Sequence, residues 1–217
     1  MIRHPEQYDD PNAPMVLFSP PMPVVPAIVV TRQNHRIATY FLELPRARYS
    51  ILYSHANAVD IGGMAPALVQ LASNLNCSIL AYDYSGYGIS SGKTRESNQY
   101  KDIDAAYDHL VTTLGVDPSK VLLYGQSIGT SPSTDKAARL GRAGAPLAGL
   151  ILHSPMTSGI RILRPQCQTN ICVDPFQNIK KIASVKAPCL ILHGRRDQVI
   201  PFEHGETLHS LCTNPGR

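Results

Sequence analysis

No stretch of this chain is apolar for long enough to cross a membrane. The best candidate, residues 15–30, is interrupted by Pro20, Pro21, Pro23 and Pro26, which exclude a helix of any length. No glycine stands at position 2 and no cysteine cluster lies near the start, so neither a myristoyl nor a palmitoyl anchor is expected. Membrane contact, if any, must come from elsewhere. Clustered basic residues are also missing. The formal charge is +4, with Lys and Arg scattered along the chain, which argues against a nucleic-acid partner. The five cysteines, at 77, 167, 172, 189 and 212, are odd in number and form no CxxC, so neither a disulfide framework nor a thiolate metal site is read. Cys77 and Cys189 sit in apolar runs, as reduced thiols of a cytoplasmic protein would, peripheral at membranes at most. There is no internal repeat and no second core.

The 217 residues are 43% hydrophobic, enough to bury one real core. Residues 1–25 read as an irregular, proline-rich lead-in and 26–217 as one α/β domain. Strands are expected at 28–31 and 37–44, around Gln33-Asn34-His35, and again at 49–54 and 78–82. Gly62-Gly63 opens a helix carrying Met64, Leu68, Leu71 and Leu75. A second helix presents Tyr100, Ile103, Tyr107, Leu110, Val111 and Leu114 on one face, with Ser97 as its cap and Gly115 as its stop. Further strands fall at 150–152 and 188–193 and a last helix at 202–211. Residues 155–180 form a cap-like excursion with one short helix. Strands alternating with helices predict a mostly parallel sheet covered on both faces.

The chemistry centres on Lys120-Val-Leu-Leu-Tyr-Gly-Gln-Ser-Ile-Gly-Thr130. An apolar run climbs into Gly125-Gln126-Ser127-Ile128-Gly129, and a helix pattern follows to about Arg142. A serine on a tight strand-to-helix turn is the nucleophile elbow of α/β-hydrolases. Side chains at 125 and 129 would collide with the neighbouring strand and helix. A serine nucleophile also needs an oxyanion hole, an acid and a base. The hole is assigned to the N–H groups of Ile128 and Asn57, the latter in the loop Ser54-His-Ala-Asn-Ala-Val-Asp60 after the third strand. Asp197, following strand and turn at 189–194, is the orienting acid; the alternative is a helix-capping aspartate. The base is missing. Only His204 and His209 follow Asp197, both inside the expected last helix, while His55, His153 and His193 close strands but come in the wrong order. Ser91-Gly-Lys-Thr94 imitates the end of a phosphate loop, yet that motif's first glycine would fall at Tyr87. No metal or organic cofactor is implied.

Taken together, these residues resemble the alpha/beta hydrolase domain-containing protein 17 group, serine hydrolases that remove palmitoyl groups from protein cysteines. The matching stretches are residues 54–60, Tyr82-Asp-Tyr-Ser-Gly-Tyr-Gly88 with Ser90-Ser-Gly-Lys93, Asp102-Ile-Asp-Ala-Ala106, residues 123–130, Ile151-Leu-His-Ser-Pro155, and His193-Gly-x-x-Asp197 with Phe202-x-His-Gly205. The resemblance implies Ser127 as nucleophile, Asp197 as acid, and an S-acylated protein or long-chain acyl ester as substrate. Three departures go with it. The family's base-bearing segment, final strand and helix would lie beyond Arg217, its N-terminal cysteine cluster is absent, and Ala56 stands where the family has glycine, placing a Cβ at the oxyanion turn. On this reading the chain is a C-terminally truncated hydrolase whose strand at 190–192 is left as an open apolar edge, poorly soluble and almost inactive. The other readings are a catalytically dead remnant that binds acyl chains or proteins, and an esterase for other lipids. Met156, Ile160, Ile162, Leu163 and Phe176 of the excursion suit an acyl chain, and suit ordinary packing equally.

Overall fold

The computed structural model describes residues 23–160 and 174–216. Strands β1 (Val24–Val30) and β2 (Arg36–Leu42) pair as an antiparallel hairpin. Its turn closes through Asn34 in the left-handed region (φ 61°), a conformation that asparagine tolerates. The first strand begins at Val24, four residues earlier than the sequence reading, and runs through Pro26. That is tolerated because β1 is an edge strand, where a residue without an N–H need not break a ladder. Then follow β3 (Ser50–Ser54), α1 (Ile61–Leu75), β4 (Ser78–Tyr82), α2 (Glu96–Asp108), β5 (Val121–Gln126), α3 (Thr130–Arg142), β6 (Gly149–His153), β7 (Cys189–Leu192) and α4 (Glu203–Leu211).

The sheet runs β1-β2-β4-β3-β5-β6-β7. Strands β3 to β7 are parallel, while β2 runs antiparallel to both β1 and β4. Strand residues alternate between two cores. Leu52, Leu80, Tyr82 and Leu123 face α2, α3 and α4; Ile51, Ile79, Tyr53 and Tyr124 face α1. Each large aliphatic side chain buried completely, such as Leu52 or Ile79, contributes about 1.5–3 kcal/mol. The chain passes from β3 through α1 to one side, then from β4 through α2 back to the other side of β3. The loops after β3 and β5 therefore part toward opposite faces, which opens a crevice at their carboxyl ends.

Two local expectations need correction. Ser97 does not cap α2: the helix starts two residues earlier than that cap would place it, after Arg95, whose carbonyl receives the Asn98 and Gln99 N–H groups at 3.0 and 3.1 Å. Glu96 thereby enters the first turn, where its carboxylate accepts from the Tyr100 hydroxyl and, at 2.7 Å, from the Phe176 N–H. The second helix also does not stay α-helical to its stop. It widens into a π turn at His109–Thr113 before Gly115, whose φ of 71° ends it as read.

The expected lead-in up to residue 22, Ile162, Leu163, Cys167, Cys172 and the short helix where it covers 161–173 lie outside the described residues. At the far edge of the sheet, Leu190 and Leu192, on one face of β7, are 38% and 41% exposed. The start of β7 is covered: Cys189 donates its N–H to the Asn214 carbonyl at 2.9 Å and forms a parallel bridge with Pro215.

A buried polar chain ties the hairpin turn to α2. Asp102, fully buried, accepts from the Ser85 N–H at 2.8 Å and the Ser85 hydroxyl at 2.7 Å, and His35 Nδ1 meets that hydroxyl at 2.9 Å. It has the residue types of a catalytic triad, but the serine proton goes to the aspartate, so its work is structural. Asp102→Ala strands two buried donors; urea unfolding should show a loss of about 2–5 kcal/mol.

Candidate active site

The strand-to-helix turn after β5 explains the glycines around Ser127. Ser127 itself takes a left-handed backbone, φ 52°, a strain of about 1–3 kcal/mol for a residue with a side chain. It opens a single 3₁₀ turn, Ser127–Gly129, that runs straight into α3. A Cβ on Gly125 would lie 2.6 Å from Cα of Thr130. A Cβ on Gly129 would lie 2.7 Å from the His55 carbonyl oxygen and nearer still to that of Ser54. Glycine at both positions is thus required by close approach, and the second glycine brings the elbow against the end of β3. The Thr130 hydroxyl donates to the Ser127 carbonyl at 2.6 Å, and Asn178 Nδ2 reaches both Thr130 Oγ1 and the Met156 carbonyl, fastening the excursion beneath the elbow.

The register sets out the remaining site residues along one edge. Ser54 stands opposite Gly125, Gln126 opposite His153, and His153 opposite Leu192. The oxyanion loop, the elbow, the end of β6 and the loop bearing Asp197 therefore form a row at the carboxyl end of the sheet. Ile128 is half-buried in the 3₁₀ turn that leads into α3, whose N terminus favours negative charge. Asn57 is exposed, and its side-chain oxygen accepts from the Tyr87 hydroxyl at 2.6 Å. Gln126 is held by the Tyr53 hydroxyl, which donates to its Oε1 at 2.7 Å. The left-handed residue of the oxyanion loop is Ala58 (φ 60°), so the Cβ of Ala56 brings no backbone strain.

Asp197 Oδ1 accepts from the N–H groups of Val199 and Ile200 at 2.9 and 3.0 Å. Burial works to raise this carboxyl, but those two bonds, Ser154 and nearby His193 outweigh it and hold it below the usual carboxylate range. It stays ionised, half-buried, with Oδ2 3.7 Å from His193 Nε2. The capping read as the alternative is thus made by Oδ1, and Oδ2 lies outside it.

The histidines are otherwise engaged. His193 Nε2 donates to the Ile200 carbonyl at 2.8 Å, and Gly205 packs on its other nitrogen. His153 Nδ1 meets the Tyr124 hydroxyl at 3.1 Å. His204, buried in α4, accepts at Nδ1 from the Thr157 N–H at 3.1 Å and contacts its hydroxyl at 2.8 Å. His55 is fully buried with Nδ1 2.7 Å from the Ala56 carbonyl. Among the described residues no hydrogen bond reaches the Ser127 hydroxyl. Sequence reasoning placed Ser127, Ile128, Asn57 and Asp197 on one edge; it did not find the Tyr87–Asn57 bond or the Asp83 carboxylate beside His55. The loop motif Asp83-Tyr84-Ser85-Gly86-Tyr87-Gly88 was the signal for both.

This turn, crevice and row of loops define an α/β-hydrolase, and residues 51–200 match the family described as the alpha/beta hydrolase fold, to which the chain belongs. More particularly, it is 49% identical over 186 residues to alpha/beta hydrolase domain-containing protein 17B of Xenopus tropicalis, a match covering 85% of this chain and 63% of that protein. It is 46% identical over 183 residues to protein 17C of Mus musculus, covering 84% of this chain and 56% of that protein. The chain thus spans less than two thirds of these relatives' length. An alpha-beta hydrolase from Vibrio vulnificus superposes with a TM-score of 0.71 at 22% identity, covering 86% of this chain and 68% of the other.

Gly129→Ala forces a Cβ against backbone that cannot yield. It should destabilise the fold by about 1–3 kcal/mol in thermal or urea unfolding.

Proposed function

We propose that this chain carries the nucleophile, oxyanion hole and acid of a serine hydrolase that cleaves the thioester of S-palmitoylated proteins. Ser127 takes the acyl group, the N–H groups of Asn57 and Ile128 receive the oxyanion, and Asp197 orients the base. In the first half-reaction Ser127 Oγ bonds the acyl carbon, the C–S bond breaks, and the cysteine thiol leaves with a proton. Water then attacks the acyl-serine ester, giving the fatty acid and free Ser127. No cofactor enters. The proposed substrate is an S-acylated protein at a membrane surface; no helix among the described residues is long and apolar enough to cross a membrane.

The observation that carries this reading is the left-handed Ser127, half-buried on a turn pressed against the end of β3 at the sheet's crevice. The similarity to the protein 17 relatives supports the choice of acyl thioester over other esters. The reading assigns the base to a histidine outside these 217 residues, because His55, His153, His193 and His204 each have a ring nitrogen engaged elsewhere. That same engagement favours a second reading, an acyl- or protein-binding remnant without turnover.

Labelling with a fluorophosphonate serine probe separates them. The chain as it stands should label weakly, and restoring a histidine-bearing segment after Arg217 should bring strong labelling. Ser127→Ala should abolish that labelling, and Asp197→Asn should slow it by up to about 10⁴-fold. A chain that stays unlabelled with the segment restored is the binding remnant.

A further inference from the structure

His55 ends the strand that the elbow packs on, and its ring is enclosed by the loop after β4. The Tyr84 ring lies 4.2 Å away and the Tyr87 ring 5.4 Å away, edge-on. Its carbonyl accepts from the Tyr84 hydroxyl at 2.7 Å and also abuts Gly129. Its Nδ1 faces the Ala56 carbonyl, an acceptor only, so Nδ1 carries a proton. The other nitrogen, Nε2, is fully buried without a hydrogen-bond partner, and Asp83 Oδ1 lies 3.4 Å from it. Both side chains are closed to solvent, at 0% and 3% exposure.

A bare imidazole lone pair and a carboxylate repel at that distance, so one proton must lie between them. Burial decides where it sits. It pulls the His55 imidazole down to about 4 and pushes the Asp83 carboxyl up to about 7, both in favour of neutral forms. The Ala56 carbonyl and the negative charge of Asp60 work to raise His55, and Asp60 raises Asp83 as well, but burial remains the largest influence on each. Asp83 Oδ1 accepts the Ile61 N–H at 2.9 Å, which partly opposes the shift without cancelling it. The hydroxyls of Tyr40, Tyr53, Tyr84 and Tyr87, facing from β2, β3 and the β4 loop, are all pushed upward and stay neutral.

We propose that Asp83 and His55 are a positioning pair for the oxyanion hole, sharing one proton that holds the Ser54–Asn57 arm against the elbow. The inference rests on the hydrolase reading for its catalytic consequence, but not for the pair itself. With the proton in place, the Asp83 O–H donates to His55 Nε2 and the Asn57 N–H is fixed beside Ile128. As pH rises through about 7, Asp83 releases the proton to solvent, and the carboxylate then faces a lone pair. The sign follows: the raised carboxyl stabilises this arm at low pH, and that contribution is lost by the time pH has passed through the folded value.

The test is NMR of the full chain, labelled with ¹³C and ¹⁵N, between pH 5 and 9. His55 should remain the neutral Nδ1–H tautomer throughout. The Asp83 carboxyl carbon should titrate near neutrality, and the Asn57 and Ile128 amides should move with the same midpoint. Asp83→Asn removes the ionisation and keeps an acceptor for Ile61, so both amides should then be flat over that range. A cationic His55 at pH 6, an Asp83 already ionised at pH 5, or amides indifferent to pH in the unmodified chain would each overturn the pair. So would amides that still titrate in Asp83→Asn. In a preparation that reacts with fluorophosphonate, the rate should fall at least about tenfold on the alkaline side, since one hole donor is worth about 10²–10³ in rate. Coupled titration without any reaction of Ser127 would leave the pair standing and remove the hydrolase reading.

Discussion

The approach of Gly129 to the carbonyls of Ser54 and His55 is the constraint on which the site depends. Two parallel neighbours, β3 and β5, normally leave room for side chains above and below the sheet. Here the chain leaves β5 so sharply that the first turn toward α3 must pass over the end of β3 with only a hydrogen at residue 129. That contact goes with the left-handed backbone at Ser127 and brings the elbow against the end of β3, from which the loop bearing Asn57 leaves. A larger residue at 129 would push the elbow away from the end of β3. Cores on both faces keep the two strands at this spacing, with Leu52 and Leu123 on one face and Ile51, Tyr53 and Tyr124 on the other.

A second feature is how polar groups are handled around that contact. Tyr84 and Tyr87 wall in His55, and their hydroxyls go to the His55 carbonyl and the Asn57 side chain. On the far side, Lys181 lies between Tyr100 and Asp135, while Asp104 binds both Lys136 and Arg139. That network has cations, and Asp104 accordingly stays acidic: burial would raise it, but the bonds from Arg139 and Lys136 prevail. Asp83 has no such cation beside it, and burial, its largest influence, outweighs the bond from the Ile61 N–H. The two carboxylates show opposite outcomes of one desolvation cost, decided by whether a cation was placed beside them.

Much of this was legible in the sequence. Short apolar, β-branched runs located the strands, because a sheet with two buried faces leaves few other ways to write 50–54 or 78–82. Gly125 and Gly129 announced the elbow because no other residue fits there. What escaped were contacts between distant segments. Nothing local says that Tyr87 will reach Asn57 or that Asp83 will face His55, since these pairs meet only once β3 and β4 are adjacent. Ser97 was misread because Arg95, one residue before the helix, holds the first N–H groups with its carbonyl, a use of backbone that side-chain preferences do not reveal. The early start of β1 through Pro26 was hidden for a related reason: proline forbids a strand interior but not an outer edge, and edges are a property of the assembled sheet.

The histidines show why residue type is weak evidence for a base. A base must present one unprotonated nitrogen to the nucleophile while a carboxylate holds the other, protonated, nitrogen. His193 fails because its Nε2 proton is spent on the Ile200 carbonyl, although Asp197 is near. His204 fails differently: its Nδ1 accepts from the Thr157 backbone, so that nitrogen is not available to a carboxylate as a donor. His55 keeps its Nδ1 proton on a carbonyl and turns its free nitrogen toward an acid, away from the serine's role. In each case the ring has the wrong proton assignment. Asp197, by contrast, has Oδ1 fixed by two backbone donors, which leaves Oδ2 as the oxygen on which the proposed acid role would depend, and none of these three histidines is placed to use it as a base would.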